Sequence, residues 1–164
     1  MRKSITAFAV LAALSMTPVL APQGAMAADK KAEKTAIEIP APPEGKGQVV
    51  FWRGGGQGFL MGCAVNENGE KISSLGAGKY FAVVLEPGEH SFMVQSEAKD
   101  VLTLEVEPDE TQYVQCKIKM GFMAGRPNIS PSTKVDFDKK SPKLKQVDED
   151  DMGPMARRIE VASD

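Results

Sequence analysis

Few side chains in this sequence have chemical reach. There is one histidine, His90, and there are two cysteines, Cys63 and Cys116. A Ser or Cys nucleophile needs a base and an orienting group beside it. Ser91 follows His90 directly, but neighbours on a strand point to opposite faces, so the two are badly placed for a dyad. His90 therefore reads as a structural or surface residue. A structural zinc site takes about four Cys or His ligands, and this chain has too few, so no metal and no cofactor is expected. Glu67, Glu70, Glu86, Glu89 and Glu97 could supply paired carboxylates for hydrolysis of carbohydrate or cell-wall material. Nothing in their spacing singles out two of them, and no catalytic residue is assigned.

The cysteines are better defined. Alternation puts Cys63 on a face with Phe59, Met61 and Val65, and Cys116 on a face with Val114, Ile118 and Met120. Both faces are apolar, so both sulfurs should point inward. They could meet in one bridge closing a loop of about 54 residues, worth roughly 4 kcal/mol in the chain-entropy model. They could also remain buried thiols acting as small hydrophobes. The bridge is the expectation, although alternation cannot show that two strands are neighbours.

Three loops invite a functional reading. Gly54, Gly55, Gly56 and Gly58 suggest a phosphate cradle, but the Gly-Lys-Ser/Thr ending is missing and a strand follows instead of a helix. A flexible hairpin loop is the simpler reading. Asn66, Glu67, Asn68 and Gly69 lack the acidic spacing of a calcium loop and read as a turn. Residues 121–127 combine large apolar and cationic side chains inside flanking glycines. Phe122, Met123 and Arg126 there either close one end of the domain as a lid or form a contact surface. Aromatic, Met and Arg side chains are enriched at interfaces.

The elements that must position these residues are strands. Val49 to Trp52 is a compact apolar run. Asn68-Gly69 marks a tight hairpin, with Ile72 and Leu75 on the return. Tyr80 to Leu85, His90 to Gln95 and Val101 to Val106 follow, separated by turn residues such as Pro87-Gly88 and Pro108-Asp109. Val114, Cys116, Ile118 and Met120 then alternate with polar residues, and a last strand is expected near residues 128–137. Roughly seven or eight short strands without a long helix predict an all-β domain, an antiparallel β-sandwich of immunoglobulin-like or prealbumin-like type, over residues 48–137.

The flanks differ in texture. Residues 1–27 have the form of a secretory signal peptide: Arg2 and Lys3, an apolar run, then Ala25-Met26-Ala27 before the cut. Residues 28–47, charged and then proline-rich, are expected to be a disordered or extended linker. Residues 138–164 read as a charged, solvated tail. The chain carries 20 Lys and Arg against 22 Asp and Glu, a net charge of −2. That balance gives no general hold on phosphate backbones, so nucleic-acid binding is not expected. After cleavage of the signal, no transmembrane segment is expected, and the destination is the bacterial periplasm or the exterior.

A family resemblance rests on several motifs in order. They are Val49-Val50-Phe51-Trp52-Arg53, Asn68-Gly69 with Gly78-Lys79-Tyr80, Leu85-Glu86-Pro87-Gly88-Glu89-His90, and Tyr113-Val114 leading to Gly121-Phe122-Met123-Ala124-Gly125-Arg126-Pro127. With these motifs the chain resembles the bacterial envelope family called domain of unknown function 2846 (DUF2846). The resemblance covers roughly residues 48–128. It implies an exported, mostly β domain and supplies no catalytic residues. Many such proteins look like small lipoproteins, and this chain departs from them in lacking a Cys near the expected cut. The reading is a non-enzymatic binding or structural module whose partner is an unidentified envelope protein or cell-wall component. A carboxylate-based hydrolase is the alternative.

Overall fold

The computed structural model describes residues 35–157, apart from Gln57, Phe59, Glu97, Met123 and Ala124. The expected signal peptide and the start of the linker lie outside the described residues. Two sheets face each other. The first contains β1 (Gly47–Arg53), β4 (Lys79–Leu85), β7 (Thr111–Met120) and β8 (Gly125–Ser132). The second contains β2 (Cys63–Glu67), β3 (Glu70–Leu75), β5 (Gly88–Gln95) and β6 (Lys99–Val106), in the order β3-β2-β5-β6. The chain then forms α1 (Lys134–Lys140), a 3₁₀ turn (Ser141–Lys143), β9 (Lys145–Gln146), a second 3₁₀ turn (Glu149–Asp151) and β10 (Ala156–Arg157).

The expectation of an all-β, two-sheet domain holds. The expectation of a purely antiparallel one does not. In the first sheet, ordered β10-β4-β1-β7-β8, β1 pairs antiparallel with β4 but parallel with β7, from Gln48↔Thr111 to Trp52↔Gln115. Alternation reports which face a side chain takes. It carries no information on the direction of the neighbouring strand. The hairpin signals were local and correct: Asn68 and Gly69 adopt φ of 49° and 85°, the left-handed pair a tight primed turn needs. Pro87-Gly88 instead carries the chain from one sheet to the other, from β4 to β5.

Every residue of β1 is buried, on both faces. One face joins the core between the sheets, where Phe51 stacks on Phe81 and meets the edge of Phe92, each with ring centroids 5.0 Å apart. The other face, with Val50, Trp52, Tyr80, Ala82 and Tyr113, needs a third layer. The segment after β8 supplies it. The charged tail expected from residue 138 is therefore corrected for residues 138–157, which fold back onto the sheet. Phe137 sits among Trp52, Tyr80 and Tyr113 with centroids 6.3, 5.9 and 5.3 Å away. Leu144 completes the layer, while Val147 belongs to the inner core.

Local chemistry fixes this segment. Thr133 caps α1, its Oγ1 accepting from the Asp136 amide at 3.1 Å. β9 adds parallel to β4 and β10 adds antiparallel to it. The Gly153 amide donates to the Ile72 carbonyl at 2.7 Å, and a Cβ there would fall 2.4 Å from the Lys71 carbonyl, so only glycine fits.

Residues 35–46 have no helix or strand, and they are docked. Ile37 and Ile39 pack on the outer layer, and the Ile37 amide donates to Ser141 Oγ at 3.0 Å. The fully buried Gln48 ties the ends together. Its Nε2 donates to the Pro40 carbonyl and to Thr111 Oγ1, and its Oε1 accepts from Arg157.

Candidate functional site

One end of the sandwich is built from two loops, residues 54–62 after β1 and the β7–β8 hairpin. Arg53 organises the first. It is 2% exposed, and its guanidinium donates to the carbonyls of Gly58 at 2.6 Å, Leu75 at 3.2 Å and Met61. Burial pulls the Arg53 guanidinium below its ordinary pKa. The loop then seats on the hairpin. A Cβ on Gly58 would come within 3.0 Å of the Ile118 side chain, and the Gly125 amide approaches Met61 Sδ at 3.1 Å.

Seated this way, the two loops leave large apolar side chains outside. Leu60 is 86% exposed, Met120 90% and Phe122 93%. Met120 keeps the strand face of Val114 and Cys116, but there the strand has run past the end of the core. Arg126 is exposed and stands in register with Lys119 on the same hairpin. Met123 lies outside the described residues. Sequence reading picked out Phe122 and Arg126. It missed Leu60, which lies in a loop where no periodicity marks a side chain as exposed.

Cys63 on β2 and Cys116 on β7 form a disulfide, with Cα atoms 6.7 Å apart. The strands belong to opposite sheets, so the bridge crosses the core. Both cysteines were placed on inward faces by alternation alone, and both are buried.

His90 bridges two oxygens. Its Nδ1 lies 2.6 Å from Glu67 Oε1 and its Nε2 lies 2.8 Å from the Glu86 carbonyl. The ring also lies parallel to Phe92, 6.3 Å away between centroids. The Glu67 carboxylate is 4% exposed, so His90 holds a buried acid in place. Of the other candidate carboxylates, Glu86 pairs with Lys46, Glu70 and Glu89 are exposed, and Glu97 lies outside the described residues.

Three clefts on the described surface have volumes of about 500, 310 and 560 Å³, and Glu110, in the first, is the one carboxylate lining them. Among the described residues no group of His, Cys, Asp and Glu is placed to hold a metal ion, and no helix is long and apolar enough to cross a membrane.

In comparisons with known proteins, no family model, no curated protein and no solved structure matches the chain.

Proposed function

We propose that this protein is a non-enzymatic binding module of the bacterial envelope, exported by the signal at residues 1–27 and acting in the periplasm. The observation that carries the reading is the group of Leu60, Met120 and Phe122, all at least 86% exposed at one end of the sandwich. Two loops touch each other there, and these three side chains are left to solvent. Isolated exposed apolar residues are ordinary, but three on two loops that touch through Gly58 with Ile118 and Met61 with Gly125 suit a contact surface.

Other features support the compartment. A disulfide persists in oxidising surroundings and is rare in the reducing cytosol. The motif series that resembles DUF2846 points to the same envelope setting. The order of motifs runs through the turn at Pro87-Gly88 and ends in the β7–β8 hairpin that carries Phe122.

The test is site-specific photo-cross-linking in periplasm. A photoreactive phenylalanine analogue at position 122 is expected to trap one defined partner. The same analogue at Val135, an exposed residue of α1, is the control. Equal trapping at both positions, or none at 122, would count against the contact surface.

A further inference from the structure

We infer that the cleft between the glycine-rich loop and the end of α1 is a binding site for a phosphate-bearing ligand. Two adjoining clefts, of about 560 and 310 Å³, share Gly54, Gly55 and Gln115 as walls. Lys139, Lys140 and Lys143 stand over the larger and Lys117 over the smaller. The volumes are in the range of small-ligand sites. Among the described residues no carboxylate lines either cleft, although acidic residues outnumber basic ones in the chain, 22 to 20. The positive charge is therefore concentrated locally against the net charge of the molecule, and such a cleft draws anions.

The lysines are not consumed elsewhere. Lys139 has one long contact, 3.8 Å to Asp136. Lys117, Lys140 and Lys143 have no ion-pair partner among the described residues. They are not needed to close the helix either. The Phe137 carbonyl already accepts from the Ser141 amide, and the Asp138 carbonyl from Ser141 Oγ at 3.2 Å.

The opposite wall is bare peptide. Gly54 and Gly55 do not take the left-handed conformation, and a Cβ on either would meet nothing within 4 Å. Neither backbone shape nor packing requires glycine there. What two glycines provide is a backbone that a ligand can approach closely, with amide groups available to oxyanion oxygens. Gln115 adds a side-chain amide between the two clefts. Several ammonium groups, each a compact point charge with three donors, suit the multiple oxygens and the double charge of a phosphate.

Trp52, the only tryptophan in the chain, lies on the same sheet face, in register with Gln115. It gives the site a fluorescent reporter. The experiment titrates the purified protein with pyrophosphate and with glucose 6-phosphate at constant ionic strength, following Trp52 emission and heat of binding. Both ligands are expected to bind. The double variant Lys140→Gln/Lys143→Gln is expected to weaken both by roughly tenfold or more, as loss of charged hydrogen bonds implies. Gly55→Leu, which fills the cleft without backbone strain, is expected to weaken them as well. Lys99→Gln, on β6 of the other sheet, is the charge control and should bind as the parent does. A parallel arm uses vesicles of phosphatidic acid. Lysine-dependent uptake on vesicles without binding of the soluble esters supports the site and assigns the phosphate to a lipid headgroup. Acetate binding as tightly as pyrophosphate, equal loss in Lys99→Gln, or no response in any arm overturns the proposal.

Discussion

The imidazole of His90 and the carboxylate of Glu67 form a close pair, 2.6 Å between Nδ1 and Oε1, beside the hydrogen bond of Nε2 to the Glu86 carbonyl. Both ring nitrogens face oxygens, so the imidazole is held from two sides. The consequence is structural. His90→Ala leaves a carboxylate that is 4% exposed without its partner. A loss of about 1–3 kcal/mol is expected in urea denaturation. Replacing both members with Glu67→Leu and His90→Ala should recover part of it, because no buried charge is then left alone. A double variant less stable than His90→Ala alone would show that the pair is not what the stability depends on.

The disulfide makes a second expectation. Thiol titration of denatured, unreduced protein should find no free thiol. Cys63→Ala combined with Cys116→Ala releases a cross-link between residues 53 positions apart. The chain-entropy model gives a destabilisation of roughly 4 kcal/mol. Measured equilibrium unfolding of parent and variant under non-reducing conditions checks the figure.

Phe122 and Phe137 should behave in opposite ways. Phe122 is 93% exposed and Phe137 is 0% exposed. Phe122→Ala is expected to leave Tm nearly unchanged while weakening partner capture. Phe137→Ala should cost roughly 3–5 kcal/mol, because it empties the space among Trp52, Tyr80 and Tyr113. Thermal unfolding of the two variants side by side distinguishes a contact residue from a core residue.

Asp148 gives the acid dependence. The hydrogen bond from the Lys79 ammonium, and then its charge, hold the Asp148 carboxyl below its ordinary pKa. A depressed folded-state value means that the pair stabilises the fold above the ordinary Asp range, and that this stabilisation disappears as pH falls through the folded value. The carboxyl is fully exposed, so the effect is small. Titration by NMR should place Asp148 below the ordinary Asp value, and Lys79→Gln should return it there.

What could be read in advance follows from the range of each signal. Turn chemistry is local, and Asn68-Gly69 was found. Alternation is local too, and it placed Leu102, Leu104 and Val106 on one face and turned Cys63 and Cys116 inward. The parallel pairing of β1 with β7 depends on residues far apart in sequence and leaves no mark in either strand. The unbroken apolar run of Val49 to Trp52 did hold a sign of it, since a strand apolar on both faces has to be covered twice. The covering segment was hidden by its composition. Phe137, Leu144 and Val147 are sparse anchors among lysines and aspartates, and such spacing resembles a tail. In the candidate sites, Phe122 and Arg126 stood out by type. Lys140 and Lys143 did not, because nothing in a lysine-rich stretch says that it will face two glycines more than eighty residues earlier.

The central place of β1 has a consequence for the chain while it is being made. Gln48 and its neighbour Thr111 are 63 positions apart. As the chain emerges from its N-terminus, β1 is present long before β7 can pair with it. During that interval one full edge of Val49-Val50-Phe51-Trp52 offers unpaired amides and carbonyls beside apolar side chains, the template on which strands of separate chains join. The strand most protected in the finished molecule is thus the most adhesive one in the nascent chain, and any factor that holds this protein before it folds would gain most by covering residues 47–53.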